Sequence, residues 1–167
     1  MSDTDTTGLV IRPAAADDVP LVLSLIKELA EYEQMADQVV ATEADVYRAL
    51  FGATPHAEAV VATLGDTPVG FALFFHSFST FLAKPGLYLE NLYVRPDFRG
   101  RGVGRRLLRH LARLAKQRDC GRFEWAVLDW NELAIRSYRR AGAVPMDEWT
   151  VFRVSGDALD RLATEDD

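Results

Sequence analysis

Cysteine is all but missing: Cys120 is the single one among 167 residues. An internal disulfide is therefore excluded, so an apolar core has to hold the fold, as suits a reducing compartment such as the cytoplasm. That thiol also lacks a companion for a catalytic dyad and reads as structural. Histidine is scarce as well. His56, His76 and His110 fall in unrelated segments without ligand spacing, so no metal site is expected. No apolar run reaches the roughly 18 residues that cross a bilayer, and no membrane partner is expected. Met1 to Gly8 carries neither a basic region nor an apolar stretch and does not read as a signal peptide. An excess of positive charge is absent too. The formal net charge of −6 argues against nucleic acid, whose binders owe most of their affinity to neutralised phosphates. It suits a cationic small molecule, though only weakly.

What is present is ordinary globular composition, with 49% hydrophobic and 26% charged residues. The length suits one domain, read here as residues 9–163 between a frayed N-terminal tail, 1–8, and an acidic C-terminal one, 164–167. Leu9 to Arg12 reads as a first strand stopped by Pro13. Asp17 or Asp18 then caps a helix to about Gln34, with Val22, Leu25, Ile26 and Leu29 on one apolar face. Thr42 opens a shorter helix ending near Gly52. Ala59 to Ala62 and Pro68 to Phe75 form a hairpin about Gly65-Asp66-Thr67. After a loop holding Lys84-Pro85-Gly86, a strand runs from Leu87 to Val94 and ends before Pro96. A helix over Gly102 to Arg118, a strand over Phe123 to Leu128, a helix over Glu132 to Ala141 and a last strand over Trp149 to Val154 follow. Asp157 to Ala163 closes the chain as a short helix. The order β-α-α-β-β-β-α-β-α-β predicts an α/β layered domain with a mixed sheet.

The most informative stretch is Arg99-Gly100-Arg101-Gly102-Val103-Gly104-Arg105, which leaves a strand and opens a helix. Glycines let the backbone approach a ligand closely, and the first N–H groups of the helix have no partner within it. With the positive end of the helix dipole and three arginines, this is a pyrophosphate cradle in the making. Glycine used for turn geometry alone is the plainer reading. The turn has no G-x-x-x-x-G-K-[ST] pattern and no first-strand βαβ setting, which removes the P-loop and the dinucleotide fold.

From Leu92 to Gly104 the segment resembles the acetyl-CoA signature of the GNAT N-acetyltransferase superfamily, [RQ]-x-x-G-x-[GA] after a V-x-P-x-x-R strand exit. The likeness extends over residues 9–155. It is similar to the spermidine/spermine and thialysine N-acetyltransferase group at Ile11-Arg12-Pro13-Ala14, Leu25 to Glu33, Leu87-Tyr88-Leu89-Glu90, and Trp130-Asn131-Glu132 with Tyr138. The resemblance implies a splayed mixed sheet flanked by helices, with the pantetheine arm of acetyl-CoA between parting strands. It implies acetyl transfer to a diamine, a polyamine or a lysine-like amine by direct attack in a ternary complex, and a homodimer. The same fold acting on protein lysines or N-termini, or serving as a non-catalytic acetyl-CoA-binding module, stands as the alternative.

The resemblance also assigns roles. An alkylammonium, with a pKa near 10.4, must lose a proton before it attacks, and the leaving thiolate must gain one. Glu90 matches the general base and Tyr138 the acid. By alternation alone Glu90 is equally a solvent-facing strand residue, and a Tyr on an amphipathic helix is usually core. The backbone of Leu92, Tyr93 and Val94 would hold the pantetheine and polarise the thioester carbonyl. The turn residues Arg99, Gly100, Arg101, Gly102, Val103, Gly104 and Arg105, together with Asn131, Ala134 and Tyr138, complete the cofactor set. Tyr32, Glu33, Asn91, Asp147 and Trp149 join Glu90 on the substrate side. Two departures weigh against long polyamines: Asn91 stands where the group has an acid, and the loop from Ser79 to Gly86 brings Lys84 in place of another. The remaining basic side of the long helix, Arg106, Arg109, Arg113 and Lys116, reads as a solvated face.

Overall fold

The computed structural model describes residues 7–164. The expected tails lie outside the described residues except for Thr7, Gly8 and Thr164. The chain divides into two compact units, between Ala126 and Val127. The first contains β1 (Leu9–Pro13), α1 (Val19–Tyr32), α2 (Glu43–Phe51), β2 (Glu58–Leu64), β3 (Thr67–Ser79), β4 (Lys84–Val94), α3 (Val103–Gln117) and β5 (Arg122–Trp125). The second contains α4 (Glu132–Arg140) and α5 (Asp157–Thr164). None of these helices is long and apolar enough to cross a membrane.

The first unit is built on a five-stranded sheet in the order β1-β2-β3-β4-β5, antiparallel except for the parallel pair β4–β5. Helix α3 buries Val103, Leu107, Leu111 and Ala115 against Val60, Ala62, Phe74, Leu87 and Leu89 on one face. On the other, α1 and α2 bury Val22, Leu25, Leu29, Val46 and Leu50 against Ala59, Val61, Phe71 and Tyr93. The helical spacing of apolar residues dictates this arrangement, since each stripe must meet a sheet face. Fully burying a Leu or Phe side chain contributes about 1.5–3 kcal/mol.

Five local expectations are corrected. Helix α1 starts at Val19, after a 3₁₀ turn over Ala16–Asp18. The Asp18 carboxylate does not cap it but accepts from the Ala15 N–H at 2.7 Å and pairs with Arg12. The helix ends at Tyr32 rather than Gln34, because Gln34 takes a left-handed φ of 61°. The Met35 N–H then returns to the Ala30 carbonyl at 2.8 Å, closing the last turn.

Lys84-Pro85-Gly86 is not a loop but the start of β4, paired with Ser77 to Ser79. Proline and glycine there signalled a turn, yet Gly86 serves close packing: an added Cβ would lie 2.5 Å from Ser77 Oγ and 3.2 Å from Arg122 Cγ.

Strand β5 stops at Trp125, short of Leu128, and Trp149 to Val154 forms no strand. Both segments have strand-like side chains, but a strand exists only where its backbone groups find a ladder. The parallel ladder of β5 ends with the pair Leu89 and Trp125.

Candidate functional site

Strand β4 positions most of the candidate residues. Its register against β3 slips between the pairs Phe74–Leu89 and Leu73–Asn91, so Glu90 is the extra residue of a β-bulge. The consequence is visible along the strand. Leu87 and Leu89 face the α3 core, as do Leu92 and Val94, so the alternation shifts by one across the bulge. Glu90 and Asn91 are both left out of that apolar set, which is how a carboxylate sits in an otherwise apolar strand without a desolvation cost. Glu90 is exposed and Asn91 half-buried. Beyond Leu89, β4 continues to Val94 with no β5 partner, so among the described residues its β5-facing edge from Glu90 to Val94 belongs to no ladder.

The turn after β4 has the geometry its glycines suggested. Gly100 and Gly102 adopt φ of 74° and 85°, and Gly102 is the left-handed N-cap of α3. Neither would meet a protein atom within 4 Å if given a Cβ, so backbone conformation and open space, not packing, account for glycine there. Gly104, inside the first helical turn, would place a Cβ 3.7 Å from Leu92 and Val94 side chains, an ordinary contact. No acid and no side-chain cap occupies the first turn of α3, so among the described residues no side chain caps its N–H groups. Arg101 and Arg105 are exposed and form no ion pair among the described residues. The donor set fits a pyrophosphate group.

A polar network ties this turn to α1, and sequence reasoning missed it. Arg95 forms a two-pronged pair with Glu28, Nε to Oε2 at 3.1 Å and Nη2 to Oε1 at 2.8 Å, and donates through Nη1 to the Pro68 carbonyl at 3.0 Å. The guanidinium holds the Glu28 carboxyl below its usual range. Tyr93 is buried, and burial and the Glu28 charge push its pKa up. Its side chain is thus committed to the α1 side of the core, leaving only its backbone to a ligand. Arg99 donates from Nε to the Val94 carbonyl at 2.8 Å, and its guanidinium lies over the rings of Tyr32 at 4.5 Å and Tyr93 at 5.5 Å. Arg95, beside the strand exit, was the available clue, since a charge there must find a partner when the strand packs.

Of the residues expected on the substrate side, Tyr32 ends α1 and Glu33 is its C-cap. Burial pushes the Glu33 carboxyl up. Lys84, read as a charge in place of an acid, pairs with Asp119 at 2.7 Å and is compensated within the protein. Among the described residues, no three His, Cys, Asp or Glu side chains gather as a metal site would require.

In the second unit, Asn131 caps α4 as expected, its Oδ1 accepting from the Ala134 N–H at 3.2 Å. Tyr138 lies half-buried on the same helix. Asp147 and Trp149 fall in a bend where the Trp149 N–H returns to the Met146 carbonyl at 3.1 Å, not before a strand.

Comparison with known proteins places the chain in a context. The model of the Acetyltransferase (GNAT) family matches residues 24–143. The thialysine N-epsilon-acetyltransferase of Bos taurus is 37% identical over 93% of this chain and 97% of that protein. The L-ornithine N5-acetyltransferase of Arabidopsis thaliana is 30% identical over 91% of this chain and 86% of its own length. An integron cassette protein from the mobile metagenome of V.cholerae has a similar fold, with a TM-score of 0.80 at 25% identity over 95% of this chain and 99% of that one.

Proposed function

The chain belongs to the GNAT acetyltransferase family, and from that premise we propose that it transfers an acetyl group from acetyl-CoA to the terminal amine of a small, lysine-like molecule. The observation that carries the reading is the free β4 edge, which starts at the Glu90 bulge and ends at the glycine turn capping α3. A thiol ester arm laid along such an edge, with its pyrophosphate at a helix start, meets hydrogen-bond donors at both ends.

When bound, acetyl-CoA supplies the acetyl group as an activated thioester. The N–H groups at the start of α3, with Arg99, Arg101 and Arg105, hold the pyrophosphate. The backbone of Leu92, Tyr93 and Val94 holds the pantetheine arm and polarises the thioester carbonyl. Glu90 takes the proton of the substrate ammonium through water, freeing the nitrogen lone pair. The nitrogen–carbon bond forms as the carbon–sulfur bond breaks, and the Tyr138 hydroxyl gives its proton to the departing sulfur. The surplus proton on the new amide nitrogen passes to water, from which the Tyr138 oxygen recovers one. Asn131 and Ala134 contribute at the start of α4, between capping and the cofactor arm.

Substrate choice follows from charge. Tyr32, Glu33, Asn91, Asp147 and Trp149 form the amine side in this reading. Glu33 would gain from an ammonium, because burial disfavours its bare charge. Asn91 offers a hydrogen bond without charge, and Lys84 is tied to Asp119 rather than replacing a lost acid with a free cation. One reacting ammonium is therefore served better than a chain of them. The relatives named for thialysine and L-ornithine support the same class. The homodimer and the cytoplasmic setting implied by the family belong to this reading.

The test is a thiol-release assay with acetyl-CoA across lysine analogues, ornithine, diamines, spermidine and peptides. Turnover is expected with amino-acid amines above spermidine and above peptides. Tyr138→Phe should lower kcat by about 10²–10⁴-fold with KM little changed. Peptides outrunning every free amine would overturn the small-molecule assignment.

A further inference from the structure

We propose that Tyr32 is a positioning residue for the cofactor: its ring holds the Arg99 guanidinium ready for the pyrophosphate, coupling the end of α1 to the phosphate turn. The proposal rests on the acetyl-CoA reading above. It changes what Tyr32 is for, since its place beside Glu33 suggested contact with the amine alone.

An exposed arginine ordinarily loses rotamer freedom when it grips a phosphate. Arg99 is restrained beforehand from three directions. The Tyr32 ring lies 4.5 Å from the guanidinium carbon, the Tyr93 ring 5.5 Å, and the Val94 carbonyl accepts from Nε at 2.8 Å. A guanidinium is flat and carries five donors, so aromatic faces can hold the plane while donors at its edge remain for phosphate oxygens. The other turn arginines lack such a clamp. Arg101 has one ring, Phe98, at 5.5 Å.

Two of the three restraints come from β4, the strand that leads into the turn. Tyr32 alone comes from a different element, at the last residue of α1. Behind it, Glu28 on the same helix anchors Arg95, the residue that follows β4, so the α1 end and the β4 exit share one network. Whatever fixes Arg99 also fixes the turn of α1 that carries Glu33. Acetyl-CoA and amine should therefore bind with positive coupling, which by linkage acts equally in both directions.

Calorimetry with acetyl-CoA on the full chain tests this. Tyr32→Phe keeps the ring and should bind within twofold of wild type, whereas Tyr32→Leu should bind about fivefold more weakly, the scale of a lost cation–π contact. In an Arg99→Gln background the same Tyr32→Leu change should cost nothing further. Thermal unfolding of each variant checks that the fold persists, and Tyr32, 38% exposed at a helix end, is a tolerant place for the change. Equal affinity for Tyr32→Leu and wild type would overturn the proposal. So would a loss that persists undiminished without Arg99, or one shared by Tyr32→Phe. A wild-type chain with no affinity for acetyl-CoA would instead overturn the acetyltransferase reading, and this coupling with it.

Discussion

The first turn of α3 illustrates how two neighbouring glycines answer to different forces. At Gly102 the left-handed N-cap, φ 85°, disfavours any side chain by about 1–2 kcal/mol, so a substitution there confounds strain with ligand blocking. Gly104 has no such constraint, and a Cβ there makes only ordinary contacts. Gly104→Glu should therefore separate the two effects. Replacing glycine inside a helix gains roughly 0.8–1 kcal/mol, and an acid near the N-terminus adds about 0.3–1 kcal/mol through the helix dipole. The melting temperature is expected to rise while acetyl-CoA binding, followed by calorimetry, falls by more than tenfold. A variant that is stabler and still binds CoA normally would remove the helix start from the pyrophosphate site.

Among the elements, β4 departs most from its sequence pattern, at both ends. Its bulge at Glu90 lets one strand serve the α3 core with Leu87 and Leu89, then with Leu92 and Val94, while two polar residues stay outside it. At its start, Gly86 lies against Ser77, whose Oγ is buried and has no hydrogen-bond partner among the described residues. Gly86→Ala should lower stability by about 1–3 kcal/mol, the usual cost of overpacking. Ser77→Ala alone should be neutral or stabilising, because it removes an unsatisfied buried hydroxyl. In the double variant most of the loss should be recovered, since the 2.5 Å contact no longer exists. Chemical denaturation of the four proteins measures the cycle, and strict additivity would place the strain elsewhere in β4.

For the whole molecule, acid stability should track three carboxylates held by arginine. Glu28, Glu58 and Asp18 sit below their ordinary range because Arg95, Arg118 and Arg12 donate hydrogen bonds to them. A carboxylate with a depressed folded pKa stabilises above its unfolded value, about 4, and loses that contribution as pH falls through the folded value. Glu33 has the opposite sign: its raised pKa favours the fold at low pH, and that contribution fades as pH rises through the raised value. Glu28→Gln should thus melt below wild type at pH 7, with Arg95 left half-buried and uncompensated, and the two melting curves should converge as pH falls below the depressed folded value of Glu28. A gap that stays constant with pH would assign the loss to packing rather than charge.

Much of this protein was determined by local sequence. The stripe of Val22, Leu25 and Leu29 on α1 and that of Leu107, Leu111 and Ala115 on α3 dictate helices with one buried face each, because that periodicity has no other low-cost solution. Asn131 before Glu132 marks a cap, and Gly100 and Gly102 mark left-handed turns, since each follows from a residue's own conformational chemistry. Tertiary structure decided what depends on partners distant along the chain. Trp149 to Val154 has strand-like residues and no ladder, Lys84-Pro85-Gly86 has turn residues and a ladder on β3, and a bulge sets Glu90 and Asn91 apart from the core alternation. The clamp on Arg99 joins residues 32, 93 and 99 through packing of α1 on the sheet, a contact no local pattern encodes. Propensity acts over a few residues, whereas hydrogen-bond ladders and ion pairs exist only once the fold has brought their two halves together.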